Sequence, residues 1–312
     1  MNIQEAVSAF LLSSAGVRSP RTNQTYKYGL RRFLNYLQTR QIQAEADLKS
    51  LTPDDFIYFQ GWLGTGPFKK GTRTVYIAAV HTFVEWLVIQ NQIAFSYAES
   101  LRYQQSIKVM SRKREASLPK LPQAEDVSAI LKTVYASNAK SSLKERNIAL
   151  IEFLISTGCR ASEAAQVLIR DIDLKNGRAK VMGKGSKERI VFLSPSAVAA
   201  LRTYWAKRGY QDGKYPAFMG HKKTGAVQYK TPIKAKTVWE VVKHMARLAS
   251  IEQKRFSPHY FRHAFATRML TETNNLAIVQ DLLGHASPQS TRVYAKITAQ
   301  QLQEAHRKVY GV

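Results

Sequence analysis

Six residues of this chain could together break and remake a phosphodiester bond. Arg160 and Arg262 can clamp the non-bridging oxygens of a phosphate through paired, charge-assisted hydrogen bonds. His259 and His285 can donate hydrogen bonds or move protons. Tyr294 offers a side-chain oxygen as nucleophile, and Lys184 an ammonium that can protonate the leaving oxygen. The segment Ser257-Pro258-His259-Tyr260-Phe261-Arg262-His263 reads as a helix start, with Ser257 as cap and Pro258 at the first position. His259 and Arg262 are three residues apart, so they share a face at the positive end of that helix, which suits an anion.

Each residue has a rival reading. His259 and His263 are four apart on a helix, and with His285 they could form a three-histidine zinc site. A metalloprotease of that spacing would carry Glu at position 260, where this chain has Tyr260, and Arg262 between the histidines would repel a cation. The expectation is therefore no metal. Glu163, three residues after Arg160, reads as a support for the arginine or the domain core. Lys184 shares its loop with Lys187 and Arg189, which read as phosphate contacts. His263 reads as structural, His221 and His244 as surface residues, and Cys159 as a small hydrophobe.

The elements that must hold these groups differ along the chain. The first third shows helical periodicity only: Ile3, Val7, Phe10 and Leu11 on one face, then Tyr26, Leu30, Phe33, Leu34 and Leu37 after Thr22. Thr52-Pro53-Asp54-Asp55 is a helix start, Gly64 to Pro67 a stop, and Tyr76, Val80, Phe83, Val84 and Leu87 mark a long helix beyond. Residues 106–120 lack an apolar period and hold five bases, Arg112, Lys113 and Arg114 among them, against one acid. They read as an interdomain linker, which sets the expected domains at 1–105 and 121–312. In the second domain, helical patterns lead to Thr157-Gly158. A small antiparallel sheet follows: Asp171–Leu174, a turn at Asn176-Gly177, Arg178–Met182, a turn at Gly183–Glu188, and Arg189–Leu193. After Pro195 helices are expected to resume to the C-terminus. The fold class is mainly α with a small antiparallel β-sheet.

Composition bounds the partners. The 312 residues carry a formal net charge of +25, and the sequence pI is near 10.1. With 45% hydrophobic residues this is a folded basic protein, and the natural partner is a polyanion, nucleic acid first. Residues 1–105 hold 11 bases against 7 acids, and residues 121–312 hold 31 against 14, so both domains and the linker are positive. A chain that wraps a polyanion has this distribution, whereas a membrane binder concentrates charge on one helix or tail. The single cysteine permits no intrachain disulfide and fits a reducing cytosol. No apolar run reaches the roughly 18 residues of a membrane span, and the N-terminus lacks the basic patch of a signal peptide.

The motifs together resemble the tyrosine site-specific recombinases, the lambda-integrase-like family, and most closely its Xer-like members. The family's T-G-x-R-x-S-E stretch is Thr157 to Glu163 here. Its G-K-G-x-K-E-R turn is Gly183 to Arg189, its H-x-x-R is His259 to Arg262, and its L-G-H is Leu283 to His285, with Tyr294 nine residues on. Each motif alone is weak, but six positions in order are specific, and the resemblance covers nearly the whole chain. It implies a SAM-like helical core-binding domain and an α/β catalytic domain that clamp double-stranded DNA at a specific site. It implies attack by Tyr294 to give a 3′-phosphotyrosyl link, with Lys184 as general acid, Arg160 and Arg262 stabilising charge, His259 moving the tyrosine proton and His285 bonding the phosphate. No cofactor or metal is implied, because the covalent link conserves the phosphodiester energy. Four protomers acting through a Holliday junction, a helical basic tail after Tyr294, further phosphate contacts such as Arg292, and a cytoplasmic, nucleoid-associated location are implied as well. The clamp starting near residue 1 leaves no room for an extra arm-binding domain. Arg268, where His is frequent, and the long basic stretch 210–236 depart from the common Xer pattern. A non-catalytic DNA-binding protein of the same fold and a type IB topoisomerase-like activity remain as alternatives.

Overall fold

The computed structural model describes residues 1–111, 123–139, 141–183, 188–209, 212–221, 227–251 and 256–284. The chain divides into two compact units, Met1–Ser117 and Leu118–Val312.

Among its described residues the first unit has five α-helices: α1 (Ile3–Ala15), α2 (Pro20–Thr39), α3 (Pro53–Thr65), α4 (Lys70–Ile89) and α5 (Tyr97–Ser111). Local chemistry sets their starts. Asn2 Oδ1 accepts the N–H of Glu5 at 2.7 Å, and Glu5 returns the bond to the N–H of Asn2 at 2.9 Å. Helix α2 begins at Pro20, ahead of the expected Thr22, because Ser19 is the cap and its hydroxyl accepts the N–H of Thr22. At α3 the buried Asp55 carboxylate accepts both the N–H and the hydroxyl of Thr52, each at 2.9 Å. The core is aromatic: Phe33 stacks on Phe56 with centroids 5.1 Å apart and meets Phe59 edge-on, and Phe10 meets Phe83. Helices α2 and α4 touch at Gly29, where a Cβ would lie 2.6 Å from that of Ala79.

The expected linker start at residue 106 is corrected. Helix α5 runs through Ser111, with Tyr103 buried and Ile107, one turn on, packed against the same core. The linker boundary cut this two-residue stripe in half. Residues 112–122, with Arg112, Lys113 and Arg114, lie outside the described residues.

The second unit opens with α6 (Ala124–Ala136), α7 (Ser141–Thr157) and the short α8 (Ala161–Gln166). An antiparallel sheet follows in the order β1 (Ile172–Asp173), β2 (Arg178–Met182), β3 (Glu188–Phe192), with Val181 opposite Arg189 and Ala179 opposite Val191. Gly177 turns the first hairpin with φ +60°. Then come α9 (Pro195–Arg208), β4 (Met219–His221), β5 (Val227–Pro232), α10 (Ala235–Leu248), α11 (Pro258–Thr273) and α12 (Leu276–Leu283). Helix α7 is the centre of the core, with Leu150, Ile151, Phe153 and Leu154 fully buried.

The β4–β5 hairpin corrects the expectation of helices alone after Pro195. Its first strand is three residues with a central glycine and a register shift, too short to show a period. The second carried a readable signal, since Val227, Tyr229 and Thr231 alternate with polar residues. Among the described residues no helix is long and apolar enough to cross a membrane.

Candidate functional site

The site is built where α7 ends. Thr157 is buried; its hydroxyl donates to the carbonyl of Phe153 at 2.6 Å and accepts the N–H of Cys159. Gly158 follows with φ +61°, and a Cβ there would meet the Phe265 ring at 2.7 Å, so both conformation and space demand glycine. This turn places Arg160 at the N-cap of α8.

Glu163, one turn into α8, lies beneath Arg160 and is 3% exposed. Its Oε1 accepts from Arg160 Nη1 at 2.7 Å and from Arg189 Nη1 at 3.0 Å. Its Oε2 accepts from the backbone N–H of Arg160 at 2.9 Å and from Arg189 Nη2 at 2.8 Å. Four bonds, three of them from guanidinium groups, match the carboxylate's four lone-pair directions. Burial alone would raise the pKa of Glu163. The hydrogen bonds from Arg189 and Arg160 outweigh it and hold the carboxyl below the usual range. The Arg160 side chain remains 32% exposed, so its outer edge faces solvent. Glu163, read from the sequence as a support for the arginine or the domain core, is in hydrogen-bond contact with Arg160.

The expectation of Arg189 as a phosphate contact is corrected. Its side chain is 11% exposed, its fork grips Glu163, and its Nε donates to the carbonyl of Leu282 at 3.2 Å. Strand parity is the reason. Arg189 shares the inner face of β3 with Val191, whereas Ile190 and Phe192 are 48% and 57% exposed. In a run as apolar as Arg-Ile-Val-Phe-Leu the parity is ambiguous, and intuition exposes the charge.

Helix α11 supplies the next two groups. Ser257 occupies the N-cap of α11, but its side chain makes no capping bond; its carbonyl accepts the N–H of Tyr260 instead. Arg262 is buried. It donates to the carbonyl of Gly158 at 3.0 Å and to that of Leu283 at 2.7 Å, tying the end of α7 to the end of α12. His259 lies in the field of Arg262 and Arg160. Burial first, then these two charges, push its pKa below the ordinary histidine value, so its imidazole is neutral at pH 7. His263 is shifted the same way by burial and by His259 and Arg262. Tyr260 fixes the start of α11 by donating to Asp126 at 2.6 Å and accepting the N–H of Gln123.

Arg160, His259 and Arg262 are thus brought together. Lys184, His285 and Tyr294, with Lys187 and Arg292, lie outside the described residues. The described chain stops at Gly284, whose φ of +62° ends α12 one residue before His285. Cys159 is fully buried, and its thiol is pushed up to about 11, chiefly by burial. A cavity of about 1460 Å³ in the same unit is walled by Val127, Leu131, Ile155, Phe265 and Met269 among others, and takes in none of Arg160, His259 or Arg262. It is not the place of the charged chemistry.

His221 is not the surface residue expected. Its Nδ1 lies 3.2 Å from Nη1 of the buried Arg146 and 3.2 Å from the carbonyl oxygen of Met219. Burial, then Arg146, push its pKa down to about 4.

Comparison with known proteins bears on the family and the fold. Residues 122–301 match the phage integrase family, and residues 9–91 match the phage integrase N-terminal SAM-like domain. The chain is 31% identical to tyrosine recombinase XerD of Yersinia pestis over 84% of this chain and 83% of that protein. It is 30% identical to tyrosine recombinase XerC of Pelobacter propionicus over 99% and 96%. The solved Tn1549 transposon integrase, in complex with a circular intermediate DNA, shares its fold with a TM-score of 0.73 at 16% identity, covering 99% of each chain.

Proposed function

The chain belongs to the phage integrase family and is a tyrosine recombinase, an enzyme that cleaves and rejoins DNA at specific sites, and on that premise we propose that Tyr294 is its nucleophile. The tyrosine oxygen forms a bond to the scissile phosphorus as the bond to the 5′ oxygen breaks. The tyrosine proton passes to His259, and Lys184 delivers a proton to the departing 5′ oxygen. Arg160 and Arg262 hold the non-bridging oxygens, whose charge grows in the transition state, and His285 adds a hydrogen bond. A free tyrosine has a pKa of about 10, so the cationic surroundings and a neutral base are both needed. The 5′ hydroxyl of a partner strand then reverses the step, and no external energy source is consumed.

The observation that carries this reading is Arg262 tying the ends of α7 and α12 together, with Arg160 at the start of α8 and His259 in the field of both arginines. The N-terminal unit, with α5 through Ser111, acts as the core-binding part of a DNA clamp, and the second unit as the catalytic part. Four protomers assemble on two sites and exchange strands through a Holliday junction. A DNA partner is in keeping with the DNA complex of the Tn1549 integrase, whereas the assembly and the place of action in the cytoplasm rest on kinship with the Xer recombinases.

The test uses a nicked suicide duplex whose core is selected by the wild-type protein from a random library. Wild type gives a covalent protein–DNA band on a denaturing gel. Tyr294→Phe binds the duplex and gives none. A covalent band from the Tyr294→Phe protein would assign the nucleophile to another residue.

A further inference from the structure

Arg189 joins three elements that approach one another only in the folded chain. From the inner face of β3 its guanidinium makes two parallel bonds to Glu163 on α8, at 3.0 and 2.8 Å. Its Nε takes the carbonyl of Leu282 at the end of α12. Its stem packs on the turn beyond, since a Cβ on Gly284 would lie 2.9 Å from Arg189 Cδ. The last two α12 carbonyls are therefore divided between two arginines, Leu282 to Arg189 and Leu283 to Arg262. Two residues after Leu283 the chain reaches His285. On the other side of Glu163, the same carboxylate holds Arg160 through its side chain and its backbone.

We infer that Arg189 is a positioning residue of the cleavage reaction, which orients Arg160 through Glu163 and sets the chain turn leading into His285. The inference rests on the proposed roles of Arg160 and His285. A carboxylate gripped from one side only can rotate about its last bond, and the arginine it supports then rotates with it. The bidentate fork removes that freedom, and a lysine cannot reproduce it. A buried Glu163 without Arg189 also loses one of its charge partners. The charged and titratable groups facing it are Arg160 beside it, Arg189 from β3, the Cys159 thiol, and Arg262 from α11 through its field on that thiol.

The full-length Arg189→Met and Arg189→Lys proteins are compared with wild type on the selected nicked duplex. Affinity and its salt dependence should be unchanged, because no phosphate contact is lost. The cleavage rate at saturating DNA should fall by about 10–100-fold in Arg189→Met, the scale of a misplaced catalytic group, with part of the rate restored in Arg189→Lys. The acid limb of the rate–pH profile should move to higher pH in Arg189→Met, because Glu163 protonates more easily. The shift should disappear when Glu163→Gln is added, which a merely structural defect would not do. An unchanged saturating rate overturns the inference. So does weakened affinity with a shallower salt slope and an intact saturating rate, the signature of a phosphate contact. Should circular dichroism show Arg189→Met unfolded, Arg189→Lys alone decides by the same rate and affinity criteria. If wild type forms the covalent band and Tyr294→Phe does not while Arg189→Met cleaves normally, this inference fails and the proposed function stands.

Discussion

The two units solve the problem of a stable interior with opposite materials. The N-terminal unit fills its core with rings, Phe10, Phe33, Phe56, Phe59 and Phe83, and of charged side chains it buries Asp55. The catalytic unit buries Arg146, Glu152, Glu163, Arg208 and Arg262. Burying a charge costs several kcal/mol unless it is paired, so apolar packing is the more economical way to build a core. At the candidate site that cost falls on Glu163 and Arg262. A guanidinium that must meet a phosphate at a set angle needs a fixed carboxylate behind it, and a fixed carboxylate must itself be held, as Arg189 holds Glu163.

The sharpest way to break this comparison is to remove the buried charge. Glu163→Gln leaves Arg160 and Arg189 facing an amide, and losing one member of a buried ion pair costs about 3–5 kcal/mol. Urea unfolding should show a loss of that order, and cleavage of the nicked duplex should slow at least as much as in Arg189→Met while remaining measurable. A variant as stable as wild type would mean that the charge is not what holds this corner together.

A smaller effect is expected at the closest packing of the other unit. Gly29→Ala puts a methyl 2.6 Å from the Ala79 Cβ, which cannot move without its helix. Overpacking of this kind costs about 1–3 kcal/mol. DNA affinity should fall with stability, whereas the cleavage rate at saturating DNA should stay within about two-fold, since the catalytic groups are untouched. A lower saturating rate would show that the units are not separable in this way.

The smallest effect is a pH dependence confined to the catalytic unit. His221 has a folded pKa of about 4, below its ordinary 6.5, through burial and the charge of Arg146. The unfolded chain therefore binds the proton first, and stability falls as pH drops from 6.5 towards 4. His259 and His263 are shifted in the same direction and add to the slope at its upper end. Glu163, also lowered, contributes stability that is lost only below the ordinary carboxylate range. Thermal unfolding of His221→Gln should show a shallower fall in Tm between pH 6.5 and 4.5 than wild type. Equal slopes would show that this ring does not titrate as its contacts require.

Much of this was legible in the chain itself. Helical periodicity located α2, α3 and α4 because a stripe of apolar residues every three or four positions has few other uses. Thr52-Pro53-Asp54-Asp55 marked the start of α3 because capping is local chemistry. Arg160, His259 and Arg262 were legible as candidate site residues from their motifs, since chemistry restricts residue type more tightly than packing does. What the sequence could not decide depended on parity and on distant partners. Arg189 on β3 turned inward because the sheet packs one face on the core, and its partner is 26 residues away on α8. His221 left the surface because it meets Arg146, 75 residues earlier. Helix α5 outran the predicted linker because Ile107 found a core built by other helices. Side-chain type is written along the chain, but which way a charge faces is set by the free energy of burying it. That energy exists only once the partner groups have been brought together in three dimensions.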